Sequence, residues 1–138
     1  MPWHIMVLAS LLALSAAFVP AVAEASHQGC TYELAYPTKA FGSTGKPYVK
    51  AFTGVACAGH AFVRLQSEII MELGAYGSNN WVVAKSVIVT ENVDGAVSQT
   101  VNTGVCSGGK RYQTRMRWDL GSGYTQWYYS AIRYVSCA

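Results

Sequence analysis

The segment from Lys110 to Leu120 alternates strictly, with Arg111, Gln113, Arg115, Arg117 and Asp119 interleaved with Tyr112, Thr114, Met116, Trp118 and Leu120. Side chains two apart share one face of a β-strand, so the pattern predicts a strand with one guanidinium-rich face and one apolar face. Arg111, Arg115 and Arg117, joined by Tyr128 from a following strand, would form a cation-π surface suited to an anionic or sugar-bearing ligand. Trp81 follows Gly77-Ser78-Asn79-Asn80, a loop-to-strand junction where a ring is either presented for contact or plugs the end of a sheet. The candidate binding residues are therefore Arg111, Arg115, Arg117, Tyr128 and Trp81, and the competing reading is an ordinary solvated sheet face. On the binding reading, replacing the three arginines together abolishes binding and spares the melting temperature.

Groups able to do catalysis are few. His60 is the one imidazole placed among strand-like segments, and Arg64, Gln66, Glu68 and Glu72 follow it on one face. Steps of four residues along an extended strand are about 13 Å, too long for a general acid and base to meet at one reacting atom. The same spacing separates Glu68 from Glu72 beyond glycosidase geometry. No nucleophile elbow, phosphate loop, dinucleotide fingerprint, EF-hand loop or HExxH motif occurs. The reading is a non-catalytic binding module for a glycan, envelope or protein ligand. The alternatives are a structural or envelope-associated protein, or a small secreted hydrolase or toxin using His60.

These side chains need a scaffold, and turn residues divide the chain into about seven strands, at roughly 30–37, 47–57, 60–73, 81–91, 96–105, 110–120 and 124–137. Gly42-Ser43-Thr44-Gly45, the Gly74–Asn80 cluster, Asp94-Gly95 and Gly121-Ser122-Gly123 supply the tight connections. The class is all-β and antiparallel, arranged as a meander, a sandwich or a small barrel. Within Met1–Ala23 an apolar run from Ile5 to Phe18, then Pro20 and Ala21-Val22-Ala23, reads as a signal peptide cleaved after Ala23, or after Ala25. Residues 24–138 would then be a single secreted β domain, extracellular or in the cell envelope, with no membrane span.

Four cysteines, Cys30, Cys57, Cys106 and Cys137, suit an oxidising compartment and two disulfides. They include no CxxC, so no metal or cofactor is expected. Opposite residues in a hairpin have a common midpoint. Cys30 and Cys57 are centred on Gly42–Gly45, and Cys106 and Cys137 on Leu120–Gly123, which predicts those two pairings as cross-strand bridges, the alternative being an inter-sheet bridge such as Cys57 with Cys106. The second register also sets Arg115 opposite Tyr128 and Met116 opposite Trp127. The net charge of +3 lacks the dense basic stripe of a nucleic-acid binder, so nucleic acid is not an expected partner.

The leader, the two sequential cysteine loops and the ending Ile132-Arg133-Tyr134-Val135-Ser136-Cys137-Ala138 resemble the tendamistat-type amylase inhibitors. The resemblance implies a β fold and an inhibitory role. The chain has no Trp-Arg-Tyr triplet between its first two cysteines, the motif by which those inhibitors engage their enzyme, and no family is assigned.

Overall fold

The computed structural model describes residues 22–27, 29–92 and 94–138. The proposed leader, residues 1–23, lies outside them except for Val22 and Ala23. Ten strands are present among the described residues: β1 (Val22–His27), β2 (Cys30–Ala35), β3 (Thr38–Phe41), β4 (Pro47–Cys57), β5 (Val63–Leu73), β6 (Asn80–Glu91), β7 (Ala96–Val105), β8 (Gly109–Asp119), β9 (Tyr128–Tyr129) and β10 (Arg133–Ser136). All pairings are antiparallel. Sheet I runs β1-β2-β4-β7, with β3 continuing along the β4 edge that β2 occupies. Sheet II runs β6-β5-β8-β10, with β9 also beside β8.

Of the three architectures compatible with the sequence, the chain adopts the sandwich. Successive strands pair in the β3-β4, β5-β6 and β8-β9 hairpins, but the chain changes sheet at β4-β5, β6-β7 and β7-β8. A continuous single-sheet meander therefore fails at these three changes of sheet. Period-two patterning specifies which face of a strand is buried and says nothing about which strand lies beside it.

The inner faces meet in two apolar clusters. One holds Tyr32, Leu34, Val55, Val63, Leu65, Met116 and Trp118 around Cys30 and Cys57, and the other holds Val49, Ala51, Ile69, Val101, Tyr112 and Val135 with Cys137. Between the sheets, the hydroxyls of Thr53 and Ser67 are 2.7 Å apart. The Gln99 amide donates to Ser67 Oγ at 2.8 Å and to the Val87 carbonyl at 3.2 Å. These bonds satisfy polar groups that burial would otherwise penalise, and they tie both sheets together.

Both expected disulfides are formed, Cys30–Cys57 and Cys106–Cys137. Cys30 and Cys57 are direct cross-strand partners, and the β2-β4 register follows their midpoint from Cys30 to Leu34. The second bridge differs in kind. The Cys106 N–H donates to the Pro47 carbonyl in sheet I, whereas that of Cys137, just after β10 of sheet II, donates to the Gly108 carbonyl immediately ahead of β8. This bond joins the two sheets at one end instead of closing a hairpin. Two disulfides are consistent with an extracellular protein, and among the described residues no helix is long and apolar enough to cross a membrane.

The hairpin after β8 keeps the cysteine-derived register only at its turn, where Asp119 bridges Tyr124. It then slips by one residue, so that Arg115 faces Tyr129 and Met116 faces Tyr128, and by one more at β10, where Tyr112 faces Arg133. The predicted strand 124–137 is accordingly broken into β9 and β10.

Candidate functional site

The alternation in β8 sorts as the sequence predicts. Tyr112, Thr114, Met116 and Trp118 are buried between the sheets, and Arg111, Gln113, Arg115 and Arg117 lie on the outer face of sheet II. Beside them runs β5, the central strand, with Arg64 opposite Asp119, Gln66 opposite Arg117 and Glu68 opposite Arg115. These three outward pairs are complementary, the cross-strand pairing that stabilises sheets, while Gln113 lies opposite Ile70.

Arg115 donates from Nε to Glu68 Oε1 at 2.7 Å and also pairs through Nη2. Arg111 grips Glu72 in a bidentate pair, with Nε donating to Oε1 at 3.0 Å and Nη2 donating to Oε2. Both carboxylates are buried, Glu68 at 6% and Glu72 at 2% exposure, although they point away from the core. The arginines cover them. Arg117 differs, because its Nε donates to the neutral Gln66 Oε1 at 2.8 Å, and among the described residues no carboxylate lies within ion-pair distance of it.

A layer of rings lies over the guanidinium groups. Arg115 sits 4.3 Å from the Trp127 ring centre, and Arg117 sits 4.4 Å from both Trp127 and Tyr124. Arg111 sits 4.9 Å from Tyr76 and 5.5 Å from Trp81. A cation held over a ring face gains electrostatic attraction and fixes both groups in place.

Two acidic residues deliver these rings from opposite ends of the face. Glu72 accepts the backbone N–H groups of Gly77 at 3.0 Å and Asn79 at 2.9 Å, and Asn79 Oδ1 accepts from Arg111 Nη2 at 2.9 Å. The loop therefore folds around one carboxylate and carries Tyr76 back over Arg111. Gly77 and Asn79 allow this because both adopt positive φ, 87° and 57°. The hydrogen bond from Arg111 and those of the two backbone donors bring the Glu72 carboxyl down to about 2, against the opposing effect of burial. Its partner Arg111 is raised, chiefly by the same bond. At the other end, Asp119 Oδ1 accepts the N–H groups of Gly121 at 2.7 Å and Gly123 at 3.0 Å, which, with Arg64 nearby, hold its carboxyl below the ordinary range. The loop it anchors returns Tyr124 and Trp127 to Arg117.

Of the residues singled out in the sequence, Arg111, Arg115, Arg117 and Trp81 are brought to this one face. Tyr128 is not. Its ring stacks on Trp118 at 5.1 Å and packs on Tyr32 at 4.8 Å, on the core side. The one-residue slip turns Tyr128 inward and hands the predicted outward place to Trp127. The expectation that all three arginines are dispensable for stability also needs correction. Removing Arg111 or Arg115 breaks a charge-assisted pair with Glu72 or Glu68, whereas Arg117 has only a hydrogen bond to the neutral Gln66 amide to lose. Tyr76 was not among the candidates. Its signal is Glu72 just ahead of a glycine-rich turn, an acceptor placed to bind the turn's N–H groups.

His60 occupies the exposed turn between β4 and β5, and its backbone N–H donates to the Cys57 carbonyl. Among the described residues no carboxylate pairs with its ring, and no group of three or more His, Cys, Asp or Glu is placed to hold a metal. The chain matches no protein-family model, no curated protein and no solved structure, so the chemistry of the face carries the functional reading.

Proposed function

We propose that the protein is exported with loss of residues 1–23 and acts outside the cell, or in its envelope, as a non-catalytic module. Its ligand is an acidic glycan, bound along the outer face of sheet II. The observation that supports this reading is the row Arg111, Arg115, Arg117, each guanidinium fixed from below by β5 and flanked by aromatic rings. From Arg111 to Arg117 this row spans about 20 Å at the rise of a β-strand, a length suited to an extended polymer. Aromatic rings offer flat apolar surface for the C–H faces of sugars, and their rigidity keeps the entropic cost of binding low. Arg117, with only a neutral amide beneath it, leaves the face with positive charge to spare.

A glycan array and a parallel pull-down with the oxidised protein test the reading. Binding to acidic glycans that weakens with added salt, and is lost in the double variant Arg117→Gln with Trp127→Ala, supports it. Capture of a protein partner with no glycan signal contradicts it. Cleavage after Ala23 leaves Glu24–His27 of β1 on the edge of sheet I, and N-terminal sequencing of the exported chain is expected to begin at Glu24, or at Ser26 for the alternative site.

A further inference from the structure

One edge of sheet II is β6, the longest strand among the described residues, which pairs with β5 on one side and with no described strand on the other. Natural sheets blunt such edges by keeping them short, by bulges or by charge. β6 does so in its first half only. The register shift opposite Ile69 and Ile70 places a bulge at Ala84, and Lys85 follows it. From Lys85 to Glu91 the pairing with β5 is regular, and the stretch Ser86-Val87-Ile88-Val89-Thr90 between those two charges holds neither a charge nor a proline. Ile88, at its centre, is 56% exposed. Among the described residues, the side chain that bonds to the backbone of this stretch is Gln99, through the Val87 carbonyl alone.

The stretch is complementary to itself. When a second copy lies antiparallel with Ile88 opposite Ile88, equal steps from that residue set Ser86 opposite Thr90, Val87 opposite Val89 and Lys85 opposite Glu91. On β5, Lys85 faces Ile69 and Glu91 faces Val63, both core residues, so the two charges project on the same side of β6. Neither forms an ion pair within its own chain among the described residues. Two-fold symmetry makes the Lys85–Glu91 pair twice. A lysine on an edge deters pairing, and every other antiparallel register parts these charges, so the same side chain that guards the edge selects one register.

From these features we infer that β6 is the docking edge for a second copy of this chain, with antiparallel pairing centred on Ile88 joining the two sheets II into one. Opposite residues of antiparallel strands share a face, so both copies turn Arg111, Arg115 and Arg117 to the same side of the joined sheet. The pairing requires no glycan and stands apart from the reading of the outer face.

Sedimentation velocity of the oxidised protein provides the test. A dimer is expected that dissociates on dilution, as a small interface implies, and also on addition of salt. Lys85→Glu sets like charges opposite each other at both ends of the pairing and should weaken the dimer about tenfold or more. Glu91→Lys should do the same, and the double variant Lys85→Glu with Glu91→Lys should dimerise again. Ile88→Lys leaves both charges in place and should be monomeric, which keeps the test if either charge reversal does not fold. Within one chain Lys85 and Glu91 stand about 20 Å apart on an extended strand, so a zero-length carbodiimide link between them, found by mass spectrometry, reports contact between copies. A monomer at every concentration, a dimer unaffected by Lys85→Glu, a folded double variant that stays monomeric, a dimer without that link, or assembly beyond the dimer overturns the inference.

Discussion

The two outer faces of the sandwich share a backbone pattern and differ in what lies on it. Sheet I turns Thr31, Glu33, Lys50, Phe52, Ser98 and Thr100 outward, all exposed, and among the described residues none of its charged groups forms an ion pair. Sheet II buries Glu68, Ile70 and Glu72 on its outer face, under arginines whose stems and planes are in turn flanked by rings. Holding carboxylates, guanidinium groups and aromatic rings in fixed register lowers the ordering cost of binding a ligand, which is what preorganisation means in energetic terms.

The strongest way to break this comparison is to remove one member of a covered pair. Arg111→Ala and Arg115→Ala should each lower Tm clearly in thermal unfolding, because each loses the charge-assisted hydrogen bonds of a carboxylate pair. Lys50→Ala on sheet I should stay within about 0.5 kcal/mol of the wild type. Equal effects on the two faces would remove the distinction.

Acid should loosen sheet II's loops before it touches sheet I's outer face. The Glu72 carboxyl is at about 2 in the folded protein against an ordinary 4.5, so its contribution is complete above 4.5 and is lost as pH falls towards 2. The lowered Asp119 acts in the same direction on the loop at the other end. Hydrogen exchange is expected to show amides of Gly77 and Asn79 losing protection across this window, with those of β4 unaffected.

Trp127→Ala removes two cation-π contacts, worth about 0.5–1 kcal/mol each at exposed sites. Chemical denaturation should register that loss, whereas Phe52→Ala on sheet I should leave glycan affinity unchanged. Arg117→Gln sharpens the comparison with the smallest structural effect. It leaves no buried carboxylate behind, so Tm should move little while glycan affinity and its salt dependence both fall.

Much of the architecture was legible because alternation is a local signal. β4, β6, β7 and β8 lie within one residue of their predicted bounds, and the burial of Met116 and Trp118 follows directly from period two. β3 carries no such signal, for its four residues include no buried one. The changes of sheet depend on which strands pack side by side, information that no single segment contains. At the site, Arg111, Arg115, Arg117 and Trp81 could be found from residue type and spacing. Their partners on β5 required the β5-β8 pairing, a contact between strands almost fifty residues apart. Tyr128 was misplaced because midpoint arithmetic assumes a regular hairpin, and the loop capped by Asp119 adds a residue beyond Tyr124.

The most direct test follows the indole N–H signals of Trp81 and Trp127 by NMR while oligogalacturonate is added, with the buried Trp118 as an internal control. Saturable shifts of Trp81 and Trp127, accompanied by backbone shifts along β8 and none along the outer residues of β4, are the predicted result. Shifts centred on Thr31, Phe52 and Ser98, or no saturable shift at all, would contradict the assignment of the ligand-binding face to sheet II.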